Sequence, residues 1–220
     1  MHVTEPGRDD PIDSRLRGDI RDLGTLLGES LVRHEGRDLL ALVEEVRRLS
    51  RDDASAAAEQ LTAVDVHTAT RLARAFSVYF DLANVAEQVE RSRDIVEARR
   101  TTGGPLRRVA SAVCAADVPT DDVARLASAM AVRPVFTAHP TEAARRSVLM
   151  KLRRLADVML DGELDDEQRQ HRMAEVVDLL WQTDEIRLEP PTPVDEPRTA
   201  LFCLDAIVAD AVERHAARHP

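Results

Sequence analysis

Residues 65–97 read DVHTATRLARAFSVYFDLANVAEQVERSRDIVE, and the spacing of their apolar members decides the fold class. Leu72, Ala73, Phe76, Phe80, Ala83 and Val89 recur mostly at three- and four-residue steps, the period of one helix face. A long helix with these residues turned inward is therefore expected. The same period extends toward the amino end. Leu16, Ile20, Leu23, Leu27 and Leu31 line one face, Gly36 breaks the pattern, and Leu39, Val43, Val46 and Leu49 line a second helix. Asp52 or Asp53 is placed to cap the Ala-rich stretch that follows.

Toward the carboxyl end, Thr101-Thr102-Gly103-Gly104-Pro105 is a clear break. Two short helices are expected after it, the second capped by Thr120 ahead of Asp121 and Asp122. The period then changes. Val132-Arg133-Pro134-Val135-Phe136-Thr137-Ala138 has the β-branched and aromatic content of a strand, and Pro134 suits an edge or a strand start. Helical period resumes from Glu142 to about Leu160 and from Asp166 to about Leu188. Pro190-Pro191-Thr192-Pro193 stops it, and Asp195 can cap a last helix toward His219. The expected fold is mainly α-helical with one strand near 132–138, divided into a helical region, 1–130, and a second region, 131–220. A lone strand cannot satisfy its own N–H and C=O groups, so other strands are required to complete it.

Composition narrows the function classes. The chain has 220 residues and a formal net charge of −10. Such an acidic balance offers no general positive field for nucleic acid or an anionic membrane. No apolar run is long enough to span a bilayer and no secretory core opens the chain, so a cytoplasmic location is expected. Cys114 and Cys203 are the only cysteines and lack CxxC spacing, which suggests neither a disulfide framework nor a zinc site.

Chemistry concentrates in VFTAHPTEAARR, residues 135–146. Pro140 pushes His139 away from helical backbone angles and itself suits a first helical turn. His139 is thus expected at the carboxyl end of a strand, where α/β enzymes carry catalytic groups. An imidazole with an ordinary pKa near about 6.5 can move protons at cellular pH. The same placement also fits a capping or hydrogen-bonded structural histidine. Arg145 and Arg146 fall at a helix start, where positive charge is unfavourable. They either face an anion or are compensated by Glu142 and nearby acids. A second stretch, LWQTDEIRLEPPTPVDE, covers residues 180–196 and holds the single tryptophan, Trp181. Asp184 and Glu185 point about 100° apart on a helix, which favours a structural role over metal chelation. There is no Gly-rich phosphate loop, no nucleophile elbow and no metal-ligand spacing. His2, His34, His67, His171, His215 and His219 fall on polar faces or near the termini.

These two stretches resemble the two amino-proximal signature regions of phosphoenolpyruvate carboxylase, with TAHPT and TDEIR at a specific separation. LGTLLGESLVRHEGRDLLALVEEVRRLSR, residues 23–51, and ATRLARAFSVYFDLANVAEQVE, residues 69–90, are similar to the same family. The resemblance runs from about Asp19 onward and is closer to the bacterial type. It implies an enzyme that joins phosphoenolpyruvate and bicarbonate to give oxaloacetate and phosphate, with Mg²⁺ or Mn²⁺. Carboxyphosphate and a metal-held enolate are the implied intermediates, with His139 as base on carboxyphosphate. Arg145 and Arg146 remain candidates for substrate or anion binding. The implied fold, an eight-stranded α/β barrel of the TIM type surrounded by helices, would supply partners for the strand. It also implies a homo-oligomer, a tetramer in the family, with neither nucleic-acid nor membrane partners. Family members are several times longer, and their metal ligands have no matching positions here. The chain is expected to be an amino-terminal piece that is inactive alone. A non-catalytic helical interaction or scaffold module derived from the family is the alternative.

Overall fold

The computed structural model describes residues 11–131, 133 and 145–185, with 192, 194–195, 197–198, 200–202, 204–205 and 208 beyond them. The chain is mainly α-helical. The elements are α1 (Pro11–Glu35), α2 (Arg37–Asp52), α3 (Ala54–Thr62), α4 (Val66–Thr102), α5 (Gly104–Ala115), α6 (Thr120–Ala129), α7 (Arg146–Leu160) and α8 (Asp166–Trp181). Helical positions recur between 195 and 208, and no strand occurs among the described residues. The strand expected at 132–138 lies outside them except for Arg133, as do residues 142–144 of the helix expected from Glu142.

Punctuation between helices follows local chemistry. Gly36, at φ 90°, separates α1 from α2. Asp53 resolves the ambiguity at 52–53. Its carboxylate accepts from the N–H groups of Ser55 and Ala56, both at 3.0 Å, and so caps α3. Asp65 caps α4 in the same way through His67 and Thr68, and Asp165 caps α8 through Gln168. α4 ends at Gly103, whose φ of 73° is left-handed and whose N–H returns to the carbonyl of Arg99. The expected cap at Thr120 is corrected. Pro119 occupies that position in extended backbone, its carbonyl accepts from Asp122 and Val123, and Thr120 is the first helical residue. Asp121 and Asp122 do sit in the first turn, favourably placed for the helix dipole.

The chain forms two compact units, one from Met1–Ala116 with Arg146–Asp184, the other from Asp117–Arg145 with Glu185–Pro220. Within the first, α1 packs on α4 and α8, and α7 packs on α8 and α4, closing a ring of four helices; α2 lies against α1 and α4. Leu23, Leu27 and Leu31 are buried as their spacing predicts, joined by Leu26. From α4 come Ala75, Val78, Leu82, Val85, Ala86 and Val89; from α7, Val148, Leu155, Val158 and Met159; from α8, Met173, Val176, Val177, Leu180 and Trp181. Each enclosed Leu or Val of this set contributes about 1.5–3 kcal/mol by leaving water.

The inward stripe expected on α4 is only partly right. Leu72 and Val89 are buried, but Ala73 is exposed and Phe80 is 61% exposed. The buried face instead follows 72, 75, 78, 82, 85, 86 and 89. Phe80 sits outside it, edge-on to Tyr79 at 5.9 Å between ring centroids. α8 also ends earlier than Leu188. At its last turn, Thr183 Oγ1 donates to the carbonyl of Leu179 at 2.6 Å and Gln182 N–H to that of Asp178 at 3.1 Å, closing the helix at Trp181.

Candidate functional site

His139 lies outside the described residues, so the site is built from its flanks. Arg145 is half-buried and immediately precedes α7, and Arg146 is the exposed first residue of that helix. The N–H of Arg145 donates to the carbonyl of Glu185 at 3.0 Å. This bond joins the end of VFTAHPTEAARR to the TDEIR part of the second stretch, forty positions further along the chain. The two sequences singled out for their chemistry therefore meet.

The second stretch is anchored from behind. Trp181 is 2% exposed in the helical core. The guanidinium of Arg74, on α4, lies over its indole ring at 4.6 Å from the centroid. Arg74 Nη2 also donates to the carbonyl of Thr183 at 2.9 Å and to that of Trp181. Both carbonyls stand at the α8 terminus, where no further helical turn follows to supply N–H donors. A cation donating to them makes charge-assisted bonds, about twice as strong as neutral ones. Sequence reasoning missed Arg74. It stands one residue from buried Ala75 in an ordinary amphipathic pattern, and no spacing rule links it to a tryptophan more than a hundred residues away.

The same turn is held from α1. Asp178 Oδ2 accepts from Gln182 Nε2 at 2.8 Å. Its other oxygen accepts from Ser30 Oγ at 2.9 Å and from Arg33 Nη2 at 3.0 Å, and His34 Nε2 lies 3.0 Å away. Burial pushes the Asp178 carboxyl up, but the hydrogen bonds from Ser30, His34 and Arg33 outweigh it and hold the group below its ordinary range. His34, expected on a polar face, thus has a structural contact.

Arg145 and Arg146 stand at one end of this connection and Asp184 and Glu185 at the other, and the Arg145–Glu185 backbone bond joins the two ends. Asp184 is exposed and Glu185 half-buried. Among the described residues, no group of three or more His, Cys, Asp or Glu side chains could hold a metal ion. No described helix is long and apolar enough to cross a membrane. An open groove of about 720 Å³ between α1, α2 and α4, lined among others by Arg21, Gly24, Gly28, Leu40 and Tyr79, contains none of the residues chosen from sequence.

Comparison with known proteins gives a consistent result. The phosphoenolpyruvate carboxylase family matches residues 16–218. The phosphoenolpyruvate carboxylase of Alcanivorax borkumensis is 33% identical over 222 residues, covering 93% of this chain and 25% of that protein. That of Roseiflexus castenholzii is 34% identical over 220 residues, covering 91% and 23%. That of Pseudomonas entomophila is 32% identical, covering 93% and 25%. The chain spans about a quarter of the length of these curated relatives.

Proposed function

The chain belongs to the phosphoenolpyruvate carboxylase family, and on that premise we propose that it forms the amino-terminal portion of an enzyme making oxaloacetate and phosphate from phosphoenolpyruvate and bicarbonate. The observation that carries the reading is the Arg145–Glu185 hydrogen bond, which joins the stretch containing His139 to the TDEIR stretch.

In this reading bicarbonate attacks the phosphoryl group, and the enolate of pyruvate leaves as carboxyphosphate forms. His139 accepts the carboxyl proton of carboxyphosphate, which breaks into CO₂ and phosphate. The enolate carbon then attacks CO₂ to give oxaloacetate. A base of near-neutral pKa suits that proton transfer, which is worth about 10²–10⁴ in rate. Arg145 and Arg146 are candidate partners for the anionic substrates. The family implies a divalent metal, Mg²⁺ or Mn²⁺. Among the described residues no group forms a ligand set for it, and no step above is routed through it. A cytoplasmic homo-oligomer, tetrameric as in the family, with no nucleic-acid or membrane partner, completes the proposal.

The test is expression of the complete reading frame that encodes these residues, with oxaloacetate followed by reduction to malate. Bicarbonate-dependent oxaloacetate formation is expected from the complete enzyme and none from the 220-residue chain. His139→Asn should lower turnover by about 10²–10⁴-fold while phosphoenolpyruvate still binds. Unchanged turnover would remove His139 from the reaction. A complete protein that makes no oxaloacetate would leave a non-catalytic helical module in its place.

A further inference from the structure

We propose that the α4–α5 hairpin is a self-association surface, whose basic tip receives the acidic α7–α8 turn of a second copy of this chain. The tip is cationic although the chain carries a formal net charge of −10. Arg99 and Arg100 lie in the last turn of α4, and Arg107 and Arg108 stand near the start of α5. The turn between the helices gathers them, since the Arg99 side chain packs beside Gly104 and that of Arg107 beside Gly103. All four are exposed, and among the described residues no acid pairs with any of them. The negative end of the α4 dipole accounts for Arg99 and Arg100, but the positive end of α5 opposes Arg107 and Arg108. Apolar exposure accompanies the charge. Leu106 is 85% exposed, Val109, Ile95 and Val96 are exposed as well, and α5 packs chiefly on α4.

The opposite charge stands at the same end of the first compact unit. Between α7 and α8 the chain reads Asp161-Gly162-Glu163-Leu164-Asp165-Asp166-Glu167, five acids in seven residues. Asp165 caps α8 and Asp166 pairs with Arg169 at 2.8 Å, whereas Glu163 and Glu167 are exposed without a side-chain partner among the described residues. Leu160, also exposed, adjoins the turn. Arg93 on α4 donates to the carbonyl of Met159 at 3.5 Å, which sets the level of the acidic turn along α4. Nine further positions lead from Arg93 to Thr102, so the basic tip projects about 14 Å past that level. A basic arm that overhangs an acidic shoulder is self-complementary under a two-fold axis. Each tip reaches the turn of the other copy, and the two contacts form together. A foreign polyanion would neutralise the tip but leave the acidic turn without a partner. The opposite charges select the pairing, and enclosure of Leu106, Val109 and Leu160 adds apolar burial.

This assigns a surface to the homo-oligomer of the functional reading but stands on the chain's own charges, and oxaloacetate formation by the complete enzyme tests that reading separately. Sedimentation equilibrium of the 220-residue chain should show a reversible dimer. Its association should weaken about tenfold or more in about 1 M salt, where the screening length is about 3 Å. Two charge-reversed proteins locate the contact, one carrying Arg107→Glu and Arg108→Glu, the other Glu163→Arg and Glu167→Arg. Each alone should associate about tenfold or more weakly than the parent, because like charges then meet at both contacts. Their equimolar mixture should regain the parent affinity, since each acidic tip then meets a basic turn and each basic tip an acidic one. Far-UV circular dichroism establishes that the variants fold; where the reversed tip does not, Arg107→Gln with Arg108→Gln should weaken association in the same direction. A parent that stays monomeric, a dimer indifferent to the substitutions, or a mixture that fails to regain affinity would each overturn the proposal.

Discussion

Ser30 on α1 donates its hydroxyl to Oδ1 of Asp178 on α8 at 2.9 Å, although 148 positions separate them in sequence. Ser30 has no exposure to solvent, and it shares its acceptor with Arg33 and stands beside His34. One carboxylate thus ties three residues of the first helix to the last turn of the eighth.

Removing that acceptor should therefore cost more than removing the donor. Asp178→Ala strands the enclosed Ser30 hydroxyl and is expected to destabilise the fold by about 1–3 kcal/mol. Ser30→Ala leaves a carboxylate that still has Arg33, His34 and Gln182, and should cost about 1 kcal/mol or less. Urea unfolding midpoints of the two variants check the order; equal costs would show that Ser30 does not depend on Asp178.

Acid should weaken the contacts of α1 with α8, through Asp178, and with α4, through Glu90. The hydrogen bonds from Arg15, with burial opposing and Arg93 assisting, hold Glu90 below its ordinary pKa, and Asp178 is likewise depressed. Both groups bind protons more readily in the unfolded chain. Their stabilisation is therefore present above ordinary carboxylate pKa values of about 4 and is lost as pH falls through the depressed folded values. Unfolding midpoints measured from pH 7 to pH 3 should drop mainly below about pH 4. The variant carrying both Asp178→Asn and Glu90→Gln should start lower and lose less over that range; a parallel drop would assign acid sensitivity elsewhere.

Two arginines share Glu90, and they should not be equivalent. Arg15 Nε donates to both carboxylate oxygens, at 2.8 and 2.9 Å, yet its side chain is 49% exposed. Arg93 is 25% exposed, bonds Glu90 at 3.2 Å and pairs with Asp19 on α1. Arg93→Met should cost about 1–3 kcal/mol, because it strips partners from two carboxylates in poorly solvated surroundings. Arg15→Met should cost about 1 kcal/mol or less, since water reaches the Arg15 side of the pair and Arg93 still bonds the Glu90 carboxylate. Thermal denaturation of both variants decides; a larger loss from Arg15→Met would reverse the assignment.

Glycine substitutions should also split by sign. At Gly103 an added Cβ would stand 2.1 Å from Arg107 Cδ, and the φ of 73° disfavours any side chain. Gly103→Ala should cost about 1–2 kcal/mol. Gly18 lies inside α1 with nothing within 4 Å of the added carbon. Gly18→Ala should stabilise by about 0.5–1 kcal/mol through helix propensity. Opposite shifts in melting temperature are expected, and a gain at Gly103 would mean that α4 and α5 do not need their break.

Much of the helical architecture was legible because it depends on near neighbours in sequence. Leu23, Leu27 and Leu31, a cap at Asp52 or Asp53 and a break within Thr101–Pro105 are all local signals, and the structure selects Asp53 and Gly103. The face of α4 was harder. A helix of 37 residues drifts against any simple repeat, and the large aromatic Phe80 drew the expected stripe away from the smaller residues that are buried. Thr120 looked like a cap because capping residues are polar, whereas the extended backbone of Pro119 determined where α6 begins. In the candidate site, the importance of Trp181 could be inferred from its helix, but the Arg74 contact could not. Arginine pairing with distant carbonyls leaves no periodic trace, and the meeting of Arg145 with Glu185 depends on a return of the chain that only tertiary structure specifies.

The first compact unit is interrupted in sequence, since Met1–Ala116 must wait for Arg146–Asp184. On a ribosome this sets a delay. The 68 residues from 117 to 184 take about 3–14 s to synthesise at roughly 5–20 residues per second. Until they emerge, the leucines of α1 and the Ala75–Val89 face of α4 have only each other and α2, and the surfaces that later meet α7 and α8 stay wet. The nascent chain therefore passes through a period of apolar exposure whose length is fixed by gene order, and a stalled or prematurely released product would present that surface to chaperones or to other copies of itself.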